Sequence, residues 1–561
     1  MASRTHEVFN QFDDLSDYRL FDTDPALSEA LQRAGADWAR PQLSAYGAQL
    51  GRAETWQLAR DANRHPPELQ RFDARGRRMD RVEFHPSWHA LLARYRAQGW
   101  VAMPFRGEQP GRWSAWAAGF YLHGQVEQGT LCPATMTTAS IALLQKEPAL
   151  WAQLQGPLYS DAYDARDLPL ADKTSIWLGM GMTEKQGGSD VRANTTQATP
   201  LHSGRGAGGR GGEYLLRGHK WFFSAPMSDA HLVVAQTPQG GPACFYVPRW
   251  RPDGSLNAVQ VQRLKNKVGN RSNASAEVEF DGAWGVLLGE EGRGIATILA
   301  MASMTRLNCV IGSAALLRQA TVQALAYARQ RRAFGKVLAA QPLMRAVLVD
   351  LALESEAALV LAMRLAQAYE HESAGASDPL QRAWKRIVTP AAKFWVCKRA
   401  VELTGEAMEV LGGNGYVEDS VLARLFREAP VNSIWEGSGN VMCLDVLRAL
   451  AREPEAAQAL LADLHDAGAG EPRILAALQA LRTLLASAPE QLEALGRVLV
   501  QRLVLLAQAC LLRQQAPAAV ADAFIATRLE GSSRDGAGRV VGALDTRAMD
   551  VDAMLARAFT G

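Results

Sequence analysis

The sequence lacks any pairing or clustering of cysteines and any excess of charge. Its six cysteines are isolated, with no CxxC and no Cys/His cluster at metal-ligand spacing: Cys132, Cys244, Cys309, Cys397, Cys443 and Cys510. Isolated thiols of this kind favour neither disulfides nor structural zinc. Because 60 Lys and Arg face 58 Asp and Glu, the net charge is only +2. A surface that attracts nucleic acid or an acidic membrane therefore has to be local.

Long apolar runs are missing as well. The first residues, MASRTHEVFNQFDD, become acidic where a secretory signal needs about 7–15 apolar residues. The most apolar late segment, 498–512, is interrupted by Arg502 and is shorter than the roughly 18 apolar residues of a membrane span. We therefore expect a cytoplasmic protein with no membrane partner.

The length of the chain and its regional composition predict an α+β protein of several domains. A length of 561 residues, at about 150 residues per domain, suggests three or four of them. Residues 1–175 are rich in Ala, Leu, Arg and Trp and predict a helical domain. Short β-rich runs over 176–287 predict a β-domain, in which the glycine-rich tract at 204–213 predicts a hairpin loop. Helical periodicity returns over 288–450, and 451–561 predicts an additional helical appendage.

A loop at 180–190 (MGMTEKQGGSD) concentrates polar groups where the β-domain begins. These groups are two hydroxyls, two glycine N–H groups and an adjacent pair of charges, from Thr183, Ser189, Gly187, Gly188, Glu184 and Lys185. Such a set can hold an anionic or heteroaromatic ligand by donating N–H and O–H hydrogen bonds to it. The alternative interpretation is an ordinary turn, of which a Gly-Gly-Ser-Asp sequence is also typical.

Two further segments suggest a binding site. In 218–224 (GHKWFFS), an aromatic triplet ends in Ser224, and a strand carrying it could present a flat surface and one hydroxyl to a planar ring. In 430–440 (PVNSIWEGSGN), Glu436 stands beside an aromatic residue on an irregular segment, where partial desolvation raises the proton affinity of a carboxylate. The alternatives are core aromatics in the first segment and a helix-capping carboxylate in the second.

In this order, and with a β-domain between two helical ones, these segments resemble the acyl-CoA dehydrogenase flavoprotein family. Five family motifs carry the resemblance: a TE…GSD loop, a GxKxW[I][TS]-like strand, an RxxFG segment, an LGGxGY turn and an [IV][YW]EG[TS] segment. They lie at 183–190, 218–224, 331–335, 411–416 and 434–438. The resemblance covers roughly 100–450 and implies an N-terminal helical domain, a middle β-domain and a C-terminal four-helix domain.

Other segments resemble the AidB-type alkylation-response subgroup of that family. They are VEFHPSWH at 82–89, MTEKQGGSDVRANTT at 182–196, NRSNAS at 270–275 and the hundred or so residues after 450. This resemblance implies an FAD cofactor, a homotetramer and a link to double-stranded DNA. It also implies at most weak dehydrogenation of a small acyl thioester or another small molecule.

The family resemblance assigns flavin contacts to three groups of residues. The loop and the strand contribute Met182, Thr183, Gly188, Ser189, Trp221, Phe222, Phe223 and Ser224. A neighbouring subunit contributes Arg331, Phe334, Gln341, Glu409 and Gly413. The segment around the carboxylate contributes Ile434, Trp435, Gly437, Ser438 and Asn440.

The same resemblance assigns the catalytic base to Glu436, which removes the α-proton of an acyl thioester. Some relatives place the base just before an arginine on an earlier helix, but here Thr305 precedes Arg306. Glu436 is therefore the only base that the resemblance offers, and Arg306 is assigned to the substrate.

Charge gives little support for DNA binding. Residues 451–561 contain 11 Arg and 13 Asp and Glu, a net charge near −2, whereas non-specific DNA affinity comes from clustered cations. The densest basic run is Arg75, Arg77, Arg78 and Arg81, which favours a solvated helix face or tetramer ion pairs over a phosphate site.

Three alternatives to an AidB-type oxidoreductase follow from these observations. One is an ordinary acyl-CoA dehydrogenase of fatty or branched-chain acyl-CoA catabolism. The second is a DNA-binding protective protein in which the flavin is structural. The third, a Rossmann NAD enzyme, is disfavoured because Gly292-Arg-Gly294 lacks the third glycine of the dinucleotide fingerprint.

Overall fold

The structure, a computed structural model, describes residues 5–201, 212–238, 240–373, 375, 377–529 and 540–561. Most of the glycine-rich tract, for which a hairpin loop is predicted, lies outside the described residues. The chain divides into two compact units. We call Gln57–Gly107 with Glu127–Thr305 the β unit, and Met1–Trp56 with Glu108–Val126 and Arg306–Gly561 the helical unit.

A seven-stranded sheet forms the centre of the β unit. Its strands are β3 Leu178–Gly181, β4 Gln197–Pro200, β5 Glu213–Ser224, β6 Ala230–Thr237, β7 Gly241–Pro248, β8 Val259–Leu264 and β9 Ser275–Leu288. The strand order is β3-β6-β4-β5-β9-β7, with β8 on β9. Because β7 also pairs with β6, the hydrogen-bonded path from β6 through β4, β5, β9 and β7 closes on itself. The predicted middle β-domain is confirmed.

The core of the β unit follows from period-two alternation along its strands. On β9, Val278 and Phe280 are 1% and 2% exposed, whereas Glu279 faces solvent. Glu277, on the solvent face by pattern, is covered by the cations Arg263 and Lys265, which it binds at 2.8 and 2.6 Å. Leu287 of β9 and apolar side chains from neighbouring strands complete this core, among them Tyr214, Leu216, Phe223, Val233 and Phe245.

The first part of the chain contains a hairpin that its composition does not predict. Strands β1 (Glu68–Phe72) and β2 (Arg78–Glu83) pair antiparallel, and the run of arginines lies on β2 and in the turn before it. The helix-face interpretation of this run is wrong, whereas tetramer ion pairs stay a prediction. Arg77 binds Asp73 at 2.7 Å and Arg78 binds Asp80 at 2.6 Å within the hairpin. The hairpin's own carboxylates partly neutralise the basic run.

Helices form most of the remaining described chain. Before the sheet lie α1 Pro25–Arg33, α2 Arg40–Gly51, α3 Ala53–Arg64, α4 Pro86–Arg96, α5 Arg112–Val126, α6 Leu131–Leu144 and α7 Pro148–Tyr159. After it come α8 Gly294–Gln330, the short strands β10 Arg332–Ala333 and β11 Lys336–Val337, α9 Pro342–Ser373, α10 Pro379–Ala383, α11 Thr389–Val410, α12 Gly413–Tyr416, α13 Val421–Ile434 and α14 Gly439–Arg452. The last helices are α15 Pro454–Ala467, α16 Pro472–Leu485, α17 Pro489–Ala494, α18 Gly496–Gln515, α19 Ala518–Arg528 and α20 Val551–Ala558.

The long helices are core elements. On α9, where helical periodicity is predicted, Leu348, Leu361 and Leu365 are fully buried, and burial extends round most of the helix. Among the described residues, α8 is the helix long and apolar enough to cross a membrane. Because 67% of its most apolar window is buried inside the protein, its composition also fits a core helix.

Candidate functional site

A buried ion pair joins the 180–190 loop to strand β5. Lys220 Nζ lies 2.7 Å from Glu184 Oε1, and both side chains are 0% exposed. The carboxylate also accepts hydrogen bonds from the backbone N–H groups of Thr195 and Thr196, at 2.7 and 3.1 Å, and from Gln186 Nε2 at 2.8 Å. Two of the predicted motifs therefore meet through one carboxylate and one ammonium.

The partner of Glu184 is not the lysine beside it in the sequence. It is Lys220, which comes 36 residues later in the chain. Lys185 is exposed, and its ammonium lies 5.7 Å from the centre of the Trp221 ring. The GxKxW motif marks Lys220 in the sequence. The motif alone does not identify the residue that this lysine contacts.

Opposing effects keep both members of this pair charged. Burial alone would raise the pKa of Glu184, but the attraction of Lys220 and the hydrogen bonds from Lys220, Thr195 and Thr196 outweigh it and lower the pKa to about 2. Burial lowers the pKa of Lys220 to about 8, against the raising influence of Glu184. Desolvation offsets much of the attraction in such a pair, so its main effect is to fix geometry.

Two hydrogen bonds to backbone carbonyls fix the loop, and the first of them joins it to β5. The N–H of Trp221 donates to the carbonyl of Thr183 at 2.8 Å, and Asn194 Nδ2 donates to the carbonyl of Met182 at 2.8 Å. Within the described part of the chain, the side-chain hydroxyls of Thr183 and Ser224 make no hydrogen bond to a protein group. Both side chains are half-buried, so two donors remain available to a ligand.

The three aromatics of the strand have different environments. Phe222 is 50% exposed and presents its ring to solvent. Trp221 is half-buried, with Lys265 Nζ 3.4 Å from its ring centre. Phe223 is 1% exposed and stacks on His231 in the core, so its side chain is not available to a ligand. Gly188 and Ser189 lie exposed on the loop.

The carboxylate of the third motif lies on the link between α13 and α14. Glu436 has φ +59° and Gly437 has φ +105°, while the helices end at Ile434 and begin again at Gly439. A non-glycine residue in the left-handed conformation raises the free energy of the folded state by about 1–3 kcal/mol. The conformation persists only where the surrounding structure imposes it. The irregular segment predicted from the sequence is confirmed, and its geometry is strained at the candidate base itself.

Two buried cations impose that geometry through three successive carbonyl groups. Lys393 Nζ donates to the carbonyls of Trp435, at 2.6 Å, and Gly437. Arg306 Nε donates to the carbonyl of Glu436 at 3.1 Å, and its Nη1 binds Asp445 Oδ2 at 2.7 Å. Sequence reasoning missed Lys393, since nothing marks a lysine on α11 as a partner of residues more than 40 positions later.

Arg306 is thus engaged with protein groups, and its assignment to the substrate stays a prediction. Around the candidate base, the Trp435 indole donates to Asn432 Oδ1 at 3.0 Å. Ile434 is 66% exposed, and Ser438 and Asn440 are also exposed. Their assignment to the flavin likewise stays a prediction.

The RxxFG segment forms a tight hairpin in the helical unit. Phe334 and Gly335, with φ +51° and +79°, connect β10 to β11, and such a two-residue turn needs positive φ at both positions. Gln341 Nε2 braces it by donating to the carbonyl of Ala333 at 2.9 Å, and Arg331 donates to the carbonyl of Asn10. The Phe334 side chain is 97% exposed. The remaining predicted residues of this group, Glu409 and Gly413, are exposed near the α11–α12 junction.

Three family models match successive parts of the chain. Residues 10–165 match the N-terminal domain of the adaptive response protein AidB. Residues 179–283 match the acyl-CoA dehydrogenase middle domain, and residues 292–451 match the acyl-CoA dehydrogenase C-terminal domain. The matched ranges include all five of the motifs that carry the resemblance.

Individual relatives give the same result. The chain is 49% identical to AidB of Escherichia coli (strain K12) over 512 residues, which cover 90% of this chain and 91% of that protein. It is 30% identical to acyl-CoA dehydrogenase family member 11 of Caenorhabditis elegans, over 76% of this chain and 69% of that protein. A crystal structure of C. elegans ACDH-11 in complex with C11-CoA superposes with a TM-score of 0.82 at 25% identity, over 98% of this chain and 97% of that chain.

Proposed function

The chain belongs to the acyl-CoA dehydrogenase family, with an N-terminal domain of the AidB type, and from that premise we propose that it is an FAD-dependent oxidoreductase acting on the CH–CH bond of an acyl thioester. The observation that carries the proposal is the Glu184–Lys220 pair. It fixes the hydroxyl-bearing loop beside the strand that exposes Phe222.

The polar and aromatic groups of the β unit fit a flavin. Thr183 and Ser224 supply hydroxyl donors without protein partners among the described residues, and Phe222 supplies an exposed ring for a flat heterocycle. Loop atoms of Met182, Gly188 and Ser189 would complete the contacts. When bound, FAD accepts the hydride that leaves the β-carbon of the substrate, while donors near the acceptor stabilise the added negative charge.

The helical unit supplies the proposed base. Glu436 would take the α-proton of the thioester on its carboxylate. A carboxylate does this efficiently when its orientation is fixed in advance. The bonds from Arg306 and Lys393 to the surrounding carbonyls fix the backbone that carries it, so we assign these two cations a positioning role.

Glycine at position 188 has a steric role that a substitution can test. A Cβ built on Gly188 would lie 2.5 Å from Thr183 Oγ1, closer than van der Waals contact allows. We expect Gly188→Ala to displace the Thr183 hydroxyl and weaken FAD retention about tenfold, the equivalent of one hydrogen bond. Fluorescence titration of the apoprotein with FAD measures this. Gly156→Ala is the control, because nothing lies within 4 Å of the added carbon; equal affinities for both variants would contradict the steric role.

Turnover with CoA esters tests the proposed reaction class. We expect several short- and medium-chain acyl-CoA esters to bleach the flavin slowly, with weak steady-state reduction of an electron acceptor. Rapid turnover with one ester would favour the ordinary acyl-CoA dehydrogenase alternative. Absence of bleaching with every ester would contradict action on acyl thioesters.

We assign the protein to the DNA alkylation response on the basis of its AidB-type N-terminal domain. A DNA-binding role is not favoured, because arginines of the C-terminal appendage pair internally. Arg473, Arg528, Arg547 and Arg557 each form an ion pair with carboxylates of the helical unit. We expect no salt-dependent retention of duplex DNA at low ionic strength, and retention that falls as salt rises would contradict this.

We propose a cytoplasmic homotetramer in which a neighbouring subunit covers exposed apolar residues of the helical unit. Phe334, Leu343, Tyr416 and Ile434 are 97%, 88%, 77% and 66% exposed. Large apolar side chains left in water favour burial at an interface. Sedimentation equilibrium tests the assembly: a tetramer supports it, and a stable flavin-loaded monomer would contradict it.

A further inference from the structure

A cavity in the β unit shares Lys265 with the surroundings of Trp221, but its other wall residues belong to none of the groups used above. Its volume is about 210 Å³, and its wall includes Pro66, Lys265, Lys267, Arg271 and Asn273. Sites for complete small-molecule ligands usually occupy about 300–1,000 Å³, so this cavity suits a small ion or the terminal group of a larger molecule. None of the described residues in its wall is acidic.

One wall residue lacks the partners that a buried polar group requires. Asn273 is 1% exposed, and within the described residues both its Oδ1 and its Nδ2 are without a hydrogen-bond partner. A buried amide in this state costs about 1–3 kcal/mol per unsatisfied group, and such groups are rare in folded proteins. A bound group that accepts from Nδ2 would remove part of this cost.

The cations of the wall favour an anion. The Arg271 guanidinium makes no ion pair with any described residue. Lys267 Nζ donates to the carbonyl of Asn273 at 2.5 Å and to Ser275 Oγ at 3.2 Å. Lys265 pairs with Glu277, which also binds Arg263. The described wall thus carries three cationic side chains and no acidic one, a charge that suits an anion.

The wall is fixed before any ligand binds. Ser272 Oγ donates to the buried carboxylate of Glu127 at 2.6 Å, which anchors the segment between Arg271 and Asn273. A rigid set of donors loses little entropy when an anion binds, and lysine and arginine are the usual donors to phosphoryl oxygens. We propose that this cavity binds the phosphoryl group of a small molecule, with Arg271, Lys267 and Asn273 as its donors.

Calorimetric titration of the flavin-loaded, full-length protein tests the site. Inorganic phosphate and adenosine 3′,5′-bisphosphate serve as probes at constant ionic strength. We expect saturable binding that Arg271→Gln weakens about tenfold or more, because one charge-assisted contact is lost. Arg75→Gln removes the same charge from an exposed position of the β unit and should leave binding unchanged. Thermal unfolding of both variants checks that they fold.

Each outcome decides the proposal. Binding of both probes assigns a general phosphoryl site, and binding of the bisphosphate alone assigns a nucleotide phosphate. Absence of saturable binding, or equal weakening by Arg271→Gln and Arg75→Gln, would overturn the proposal. Binding of a short DNA duplex without binding of either small probe would also overturn it, because the cations would then form a nucleic-acid surface.

Discussion

Replacing Glu436 with glutamine should leave the protein yellow and remove thioester-dependent bleaching. Glutamine has nearly the shape of glutamate but cannot take a proton at neutral pH, so only the proton transfer is lost. General-base catalysis contributes about 10²–10⁴-fold to a rate, and we expect Glu436→Gln to slow flavin reduction by that factor. Stopped-flow absorbance after mixing with an acyl-CoA ester measures the rate.

The matched control is Glu455→Gln, the same chemical change at an exposed position of α15. It should bleach at the wild-type rate. Bleaching by Glu436→Gln at the wild-type rate would refute the assignment of the base. Loss of the yellow colour in Glu436→Gln would indicate that the side chain holds the cofactor instead.

Replacing Lys220 with methionine should produce the largest loss of stability and of flavin. Methionine keeps the length of the apolar stem but leaves the carboxylate of Glu184 buried without a counter-charge. Breaking a buried ion pair in this way costs about 3–5 kcal/mol. Four hydrogen bonds from Thr195, Thr196 and Gln186 remain to the carboxylate, so we expect the lower end, about 3 kcal/mol.

Urea unfolding measures the stability change, and gel filtration measures the flavin retained. Lys185→Met is the control, because Lys185 is exposed and contacts a ring rather than a carboxylate. An exposed cation–π contact contributes about 0.5–1 kcal/mol. If Lys220→Met lost no more stability than Lys185→Met and kept its flavin, the ion pair would not be what joins the loop to β5.

The sequence predicted the elements whose patterns are local. The β-rich runs over 176–287 and the irregular segment at Glu436 depend on neighbours a few residues apart, and both are present. The β1–β2 hairpin escaped prediction because its strands are rich in charged residues and show little apolar alternation. Charged strands of this kind are indistinguishable from polar helix or loop by composition.

The contacts that define the candidate site are non-local, which is why the sequence did not reveal them. The carboxylate of Glu184 and the ammonium of Lys220 are 36 residues apart in the chain. Arg306 and Glu436 are 130 residues apart. A motif places each residue on a loop or a helix, but only the fold determines which charge it meets. The sequence therefore does not show that Glu184 meets Lys220 rather than the adjacent Lys185.

The visible absorption spectrum of the full-length protein, purified without added flavin, tests the central claim most directly. The account predicts the bands of oxidised flavin and stoichiometric release of FAD when the protein is unfolded. A colourless protein that takes up no FAD on addition would contradict it, because the donors of the loop and the strand would then hold no flavin.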